Sequence, residues 1–249
     1  MSALPAVVLA AGAPLSAAAR LAAADWERIC TELDERGAAT LPGLLDRDTC
    51  RVIAAAYADE RLFRSRIVMA RHGFGRGEYR YFAYPLPFDL GALRSALYAQ
   101  LVPLANRWNE RLGVAPRFPA THAEFLVRCH AAGQARPTPL LLRYVAGDYN
   151  CLHRDLYGDH VFPLQMAVLL ARPGAEFTGG EFVVTEQRPR LQSRVEVVPL
   201  AQGDAVIFAV SERPVTGTRG VCRVTHRHGV SRVIRGERHT LGLILHDAA

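Results

Sequence analysis

The pattern of hydrophobic and polar positions divides the chain near residue 136. On the N-terminal side, apolar residues recur at the spacing of an amphipathic helix, as Trp26, Ile29 and Leu33 do. The pattern predicts helices over residues 26–36, from Asp46 or Asp48 as N-cap to about 59, over 90–112 and over 121–132. Residues 38–43 are expected to form a short extended segment between the first two helices.

On the C-terminal side, short runs of Val, Leu, Ile and Phe are bounded by Gly, Pro and Asp, which is typical of β-strands. The predicted strands cover residues 139–145, 161–171, 181–185, 194–198, 205–210 and 239–246. No long helical pattern interrupts them, so alternating strands and helices of a parallel sheet are not expected. Strands at this spacing favour a sandwich, jelly roll or barrel.

The predicted fold class is therefore mainly β with N-terminal helices. We expect one domain over residues 25–249, with a helical or mixed part over 25–135 and the β core over 136–249. Residues 1–24 are rich in alanine, but their first basic residue is Arg20, and Gly12 and Pro14 interrupt the apolar run. This segment is predicted to be a flexible tail or weak helix, not a signal peptide.

Composition removes several classes of protein. The chain has 249 residues, of which 50% are hydrophobic and 22% charged, which is ordinary globular composition. All 30 basic residues are arginine, and this excludes P-loop NTPases, protein kinases, Schiff-base aldolases and pyridoxal-phosphate enzymes, because each of them needs a lysine. The net charge of +6 is compatible with an anionic partner such as nucleic acid.

The five cysteines are widely spaced and form no C-x-x-C pair. Their odd number and spacing argue against a disulfide framework and a zinc ribbon, and they predict a cytoplasmic location. No apolar run approaches the roughly 20 residues that a membrane-spanning helix needs, so no membrane partner is expected.

Candidate metal ligands lie in the β half of the chain. His153 and Asp155 are two residues apart, so on an extended chain both side chains reach the same side. His228, 73 residues after the aspartate, is a third candidate ligand. Two histidines and one carboxylate leave coordination positions open, as in the non-haem Fe(II) facial triad, although a zinc hydrolase uses similar ligands.

Two local alternatives remain open around the distal histidine. His226 is two residues from His228 and faces the same side of a strand. Arg238 follows ten residues after His228, and its guanidinium suits a dicarboxylate co-substrate; Arg235 competes for that role. An arginine at this spacing is not explained by a zinc hydrolase.

Together these residues resemble the Fe(II)/2-oxoglutarate-dependent dioxygenases, whose core is a double-stranded β-helix of the jelly-roll or cupin type. The similar stretches are residues 144–149 (YVAGDY) followed by 153–155 (HRD), 179–182 (GGEF), 203–208 (GDAVIF) and 228–238. The resemblance implies Fe(II), 2-oxoglutarate and O2 as cofactor and co-substrates. It implies Fe(II) held by His153, Asp155 and His228. It also implies 2-oxoglutarate bound by Arg238 with Tyr144 and Thr240, and it makes Tyr149 and Gln165 candidates for supporting positions.

The chain is more similar still to a bacterial group of these enzymes that is described as acting on damaged, alkylated DNA. The shared stretches are residues 74–79 (FGRGEY) and 84–87 (YPLP). This resemblance implies oxidative demethylation of alkylated bases, with release of formaldehyde.

Residues 61–84 carry arginines interleaved with aromatic residues, an arrangement that holds single-stranded or flipped-out bases. The predicted contacts to alkylated single-stranded DNA or RNA are Arg64, Arg66, Arg71, Arg76, Arg80 and the neighbouring aromatics. The alternative is two ordinary strands with arginines in solvent and aromatics in the core. Glycines 73, 75 and 77 indicate a flexible loop that could act as a lid. A second basic run comprises Arg213, Arg219, Arg223, Arg227, Arg232 and Arg235.

Three functions therefore compete. The first is a nucleic-acid demethylase, and the second is a hydroxylase of a free amino acid, peptide or small metabolite. The third is a non-catalytic nucleic-acid-binding protein, against which the complete ligand set argues. The oligomeric state is not determined by the sequence.

Overall fold

The computed structural model describes residues 17–115, 117–217 and 220–249. Within these ranges the helices are α1 (Ala17–Ala22), α2 (Trp26–Arg36), α3 (Arg47–Ala55), α4 (Leu90–Arg111) and α5 (His122–Ala131). Short 3-10 helices cover Ala56–Ala58, Glu60–Leu62 and Met69–Arg71. Of the predicted N-terminal tail or weak helix, residues 1–16 lie outside the described residues.

The strands of the N-terminal part are β1 (Ala38–Leu41), β2 (Phe63–Val68), β3 (Gly75–Arg76) and β4 (Glu78–Phe82). Those that follow are β5 (Leu140–Val145), β6 (Tyr149–His153), β7 (Leu164–Leu169), β8 (Phe177–Gly179), β9 (Phe182–Gln187), β10 (Arg194–Val198), β11 (Ala205–Ala209), β12 (Glu212–Gly217), β13 (Gly220–Val230) and β14 (Val233–Leu243).

The strands form two antiparallel sheets. The larger has the order β1-β11-β7-β14-β5-β4-β2, with β8 added on β14, and the smaller has the order β10-β9-β13-β6-β3, with β12 added on β13. The N-terminal part thus contributes β1, β2 and β4 to the larger sheet and β3 to the smaller, so it contains both helices and strands. The predicted fold class, mainly β with a double-stranded β-helix core, is confirmed.

Local signals in the sequence set the helix boundaries. The Asp46 side chain accepts a hydrogen bond from the Thr49 amide at 2.8 Å, so Asp46, not Asp48, caps α3. Thr121 and Glu124 form a reciprocal capping box at the start of α5. Helix α2 ends where Gly37 adopts φ of 74°, a conformation that favours glycine.

The main hydrophobic core lies between the helices and one face of the larger sheet. Leu97 and Leu101 of α4 belong to the same buried cluster as Leu164 and Met166 of β7. Alternate residues of β7 point the other way, and Gln165 lines a cavity between the sheets. Packing by the helices therefore fixes the position of strands whose opposite faces form this cavity.

The strands that the hydrophobic pattern missed carry polar residues on both faces. Strand β13 is the clearest case, because His226 and His228 are buried while Arg223 and Arg227 are exposed. Strands β2 and β4 pair across residues 63–82, as the alternative reading of that region expected. In the part of the chain that the structure describes, no helix is long and apolar enough to cross a membrane.

Candidate metal centre

Two neighbouring strands of the smaller sheet bring the candidate histidines together. His153 at the end of β6 pairs in register with His228 of β13. The next pair is Asn150 with Val230, so β6 has one residue more than β13 between the two pairs. This β-bulge turns His153 to the inner face, where Asn150, His228 and Val230 also line the cavity.

His153, Asp155 and His228 form one cluster. Their ligand atoms all lie within 4.8 Å of one another. His153 Nε2 is 3.4 Å from Asp155 Oδ1, and His228 Nε2 is 3.4 Å from Asp155 Oδ2. Asp155 and His228 are buried, whereas His153 is half-exposed at the cavity opening. The ligand atoms thus converge on one point.

Hydrogen bonds orient these side chains. His153 Nδ1 donates to the Cys151 carbonyl oxygen at 2.8 Å, which fixes the proton on Nδ1 and leaves Nε2 available for a metal. Asp155 accepts hydrogen bonds from Gln165 Nε2 at 2.7 Å and from the Tyr157 hydroxyl at 2.8 Å. Such partners hold a ligating carboxylate in place and tune its basicity.

The Asp155 carboxyl is ionised despite its burial. Burial itself raises the pKa, but hydrogen bonds and charge from His153 and His228 outweigh it and hold the pKa of Asp155 well below its usual range. A buried carboxylate beside two imidazoles supplies the charge that a divalent cation requires.

Replacing Gln165 with Leu is expected to weaken binding of Fe(II), or of Co(II) as a probe, by about 10- to 100-fold, because Asp155 loses a buried hydrogen bond. Titration of the metal-free protein followed by Co(II) absorbance measures this. Gln202→Leu is the matched control, since Gln202 donates a hydrogen bond to the Leu170 carbonyl oxygen and lies outside the cavity. Unchanged Co(II) affinity in the Gln165 variant would remove Gln165 from the site.

The two alternative residues lie away from this cluster. His226 Nε2 accepts a hydrogen bond from Arg213 Nε at 2.9 Å, and burial together with Arg213 lowers the pKa of His226 to about 4. Arg213 also bonds Glu186, so this residue of the second basic run is a buried structural group. Arg235 is exposed. His228 and Arg238 are the members of each pair that line the cavity.

Arg238 is a buried cation whose charge has no acidic partner. Its side chain is about 1% exposed, and no carboxylate among the described residues lies within 4.0 Å of it. One guanidinium nitrogen donates to the Thr240 hydroxyl, and the ring centroid of Tyr144 is 5.8 Å away. Among the described residues, neither Arg238 Nε nor the Tyr144 hydroxyl has a hydrogen-bond partner within 3.5 Å. Burial lowers the pKa of Arg238 to about 10, so it remains charged at neutral pH.

These groups share one cavity of about 290 Å³. Its walls are mostly aliphatic and aromatic, and the clustered ligands and Arg238 are among its few charged groups. Two imidazoles and a carboxylate suit Fe(II), and a buried guanidinium with no carboxylate near it among the described residues suits an anion such as a carboxylate. The residues present therefore fit Fe(II), 2-oxoglutarate and O2.

The two candidates for supporting positions, Gln165 and Tyr149, differ in where they lie. Gln165 supports Asp155, whereas Tyr149 is exposed and does not line the cavity. Five further histidines lie outside the cavity; they are His122, His130, His160, His239 and His246. Tyr157 was missed, although its position two residues after Asp155 on an extended segment was a usable signal. Within the second basic run, Arg219 lies outside the described residues.

Two solved structures share this fold. An oxidoreductase of the 2OG-Fe(II) oxygenase family from Burkholderia pseudomallei aligns with a TM-score of 0.52 and 17% identity, covering 91% of this chain and 93% of that one. A Trichoplax adhaerens prolyl hydroxylase, solved with a fragment of the hypoxia inducible factor oxygen degradation domain, aligns with a TM-score of 0.54 and 13% identity, covering 90% and 88%. Fold and site together define a 2-oxoglutarate- and Fe(II)-dependent oxygenase.

Sequence comparison gives the particular family. Residues 77–248 match the family described as "Oxygenase, catalysing oxidative methylation of damaged DNA". The uncharacterized protein Rv2227 of Mycobacterium tuberculosis strain H37Rv is 46% identical over 168 residues, which are 68% of this chain and 72% of the relative. The corresponding protein of strain CDC 1551, MT2286, has the same values. The chain belongs to this oxygenase family, Oxygenase-NA.

Proposed function

We propose that the protein oxidatively removes alkyl groups from damaged bases in DNA or RNA and that it works in the cytoplasm. The family description names damaged DNA, and the five cysteines are all unpaired, in keeping with a reducing compartment. Hydroxylation of a methyl group on a base nitrogen would give an unstable product that releases formaldehyde.

In this proposal His153, Asp155 and His228 hold Fe(II), and Arg238 pairs with the distal carboxylate of 2-oxoglutarate. The Tyr144 and Thr240 hydroxyls flank that carboxylate as further hydrogen-bonding groups. When bound, Fe(II) and 2-oxoglutarate supply the oxidation of an unreactive C–H bond by O2, with succinate and carbon dioxide as co-products. The apolar walls limit access of water to the reacting groups.

The observation that carries the nucleic-acid proposal is the position of Phe74. This aromatic ring lines the cavity but is 47% exposed, and it stacks on His72 with ring centroids 5.3 Å apart. The Cys151 amide donates to the Phe74 carbonyl at 2.9 Å, and β3 pairs with β6 beside His153. These backbone contacts hold the Phe74 ring at the cavity opening, where its exposed face offers a surface for stacking a planar base.

Two of the five arginines predicted to contact nucleic acid flank this ring and are free to do so. Arg71 and Arg76 are exposed, and no carboxylate among the described residues lies within 4.0 Å of either. The other three are already engaged within the protein. Arg64 donates to the Pro137 carbonyl, Arg66 pairs with Glu78, and Arg80 pairs with Glu60. The proposed phosphate contacts are therefore Arg71 and Arg76.

The test of this function is the stoichiometry of products on single-stranded DNA that contains 1-methyladenine. With Fe(II), ascorbate and 2-oxoglutarate, we expect formaldehyde equal to the succinate formed above the level without DNA. His153→Ala, which removes a proposed ligand, is the inactive control. Succinate without formaldehyde would contradict demethylation and favour hydroxylation of an amino acid, peptide or small metabolite.

The double variant Arg71→Gln/Arg76→Gln is expected to bind single-stranded DNA roughly tenfold more weakly. The slope of log affinity against log salt should fall by about 1.4, because each lost phosphate contact removes about 0.7 for single strands. Fluorescence anisotropy at several salt concentrations measures both values. The matched control is Arg47→Gln/Arg51→Gln, which removes the same charge from exposed positions on α3. Equal losses in both variants would mean that net charge alone, not this surface, binds DNA.

A further inference from the structure

Arg154 lies between two of the proposed iron ligands, His153 and Asp155, and the oxygenase site described above gives it no role. Its side chain is exposed and lines the cavity. One guanidinium nitrogen donates to the Ser211 hydroxyl oxygen at 3.3 Å, and no carboxylate among the described residues lies within 4.0 Å. Most of the guanidinium's hydrogen-bonding capacity is therefore unused.

The surroundings of Arg154 favour an anion. Among the described residues, the only carboxylate in the cavity wall is that of Asp155, which faces both proposed ligand histidines. The Ser211 hydroxyl makes no other hydrogen bond to the described residues, so its proton is available beside the guanidinium. A guanidinium and a hydroxyl together bind phosphate oxygens well.

We infer that Arg154 and Ser211 form a phosphate subsite for the nucleotide whose base enters the cavity. The inference rests on the proposed function. Phe74 lines the same cavity and offers a surface for stacking the base, while Arg154 binds the phosphate of the same nucleotide. Because Arg154 is adjacent in the chain to both ligands, a phosphate held there lies beside the metal centre. Arg154 thus selects nucleotides over uncharged nucleosides.

The test compares two probes that differ only in phosphate, 1-methyldeoxyadenosine and its 3′,5′-bisphosphate. Calorimetry on the protein loaded with Co(II) and 2-oxoglutarate measures the affinity of each. The wild-type protein is expected to bind the bisphosphate roughly 10- to 100-fold more tightly than the nucleoside. Arg154→Gln should reduce this ratio to below about threefold without changing nucleoside affinity, Ser211→Ala should reduce it less, and Arg154→Lys should restore part of it.

Two controls separate this role from a structural one. Arg232→Gln removes an exposed arginine outside the cavity and should keep the wild-type ratio. The second control is the melting temperature of Arg154→Gln, which should match that of the wild type, because the exposed Arg154 side chain makes one hydrogen bond among the described residues, to Ser211. An unchanged ratio in Arg154→Gln, or no preference for the bisphosphate in the wild type, would overturn the subsite. An Arg154-dependent preference without formaldehyde would support the subsite and contradict demethylation.

Discussion

Replacing His228 with Ala is expected to abolish Fe(II) binding and to lower succinate formation more than about 100-fold. This loss is larger than the roughly 10- to 100-fold loss expected when a residue that only hydrogen-bonds to a metal ligand is removed. The physical reason is that His228 and Asp155 are the two buried members of the cluster, and their ligand atoms lie 3.4 Å apart. Without His228, two donors remain, of which His153 is half-exposed. Iron content after anaerobic reconstitution and the succinate rate with saturating 2-oxoglutarate measure the effect.

The control for this prediction is His226→Gln, a change two residues away on the same strand. His226 accepts a hydrogen bond from Arg213, so this variant should lower the melting temperature while keeping its iron. The pair of variants therefore separates ligation from stability. Loss of iron in His226→Gln with normal iron in His228→Ala would reverse the assignment of the distal ligand.

The second large effect is expected from Arg238→Met, which should raise the KM for 2-oxoglutarate roughly 30-fold or more while leaving Fe(II) affinity within about twofold. Truncating one partner of a buried charge pair costs about 2–5 kcal/mol, since the carboxylate is left desolvated without its cation. Arg235→Met is the matched control, because Arg235 is exposed three residues earlier on β14. Succinate production and the Co(II) titration provide the two measurements.

Although Arg238→Met is expected to weaken 2-oxoglutarate binding, it is not expected to lower the stability of the fold. Arg238 is a buried charge with no carboxylate within 4.0 Å in the part of the chain that the structure describes, and replacing such a charge with an apolar side chain is often stabilising. The variant should therefore melt at the same or a higher temperature than the wild type, and 2-oxoglutarate should stabilise only the wild type. Loss of iron, or strong destabilisation, would mean that Arg238 supports the fold instead of binding the co-substrate.

The parts of the site that depend on local spacing could be predicted from the sequence. The interval between His153 and Asp155 places both on one side of an extended chain, and the structure brings these side chains together with His228. The bulge in β6 could not be predicted, because it depends on how β6 pairs with β13 and not on any residue pattern within either strand. Tyr157 was missed for a related reason, since its contact with Asp155 follows from the path of the chain after β6.

In the arginine-rich region over residues 61–84, the sequence likewise does not determine which side chains contact each other. Sequence alone identifies alternating arginines and aromatics, but it does not identify the partner of each charge. Arg66 pairs with Glu78 across β2 and β4, and Arg80 is buried over Tyr57, so neither is free for a ligand. Arg71 is also an arginine among aromatic residues in the sequence, but no carboxylate of the described residues lies within 4.0 Å of it. In the fold, strand β13 was missed for a similar reason: its buried histidines alternate with exposed arginines, so it contains no run of apolar residues.

The extra residue in β6 lets Asn150 and His153 share one face although they are three positions apart. Cys151 and Leu152 are exposed within the bulge, so many side chains fit there. Deleting one of them would leave a single residue between Asn150 and His153, as there is between Val230 and His228, and regular pairing would then keep His153 opposite His228. Related chains should therefore tolerate the loss of one residue here, and such a chain should have a regular strand and the same cluster. An aligned set of homologous sequences would record this as a single-residue gap between the two positions.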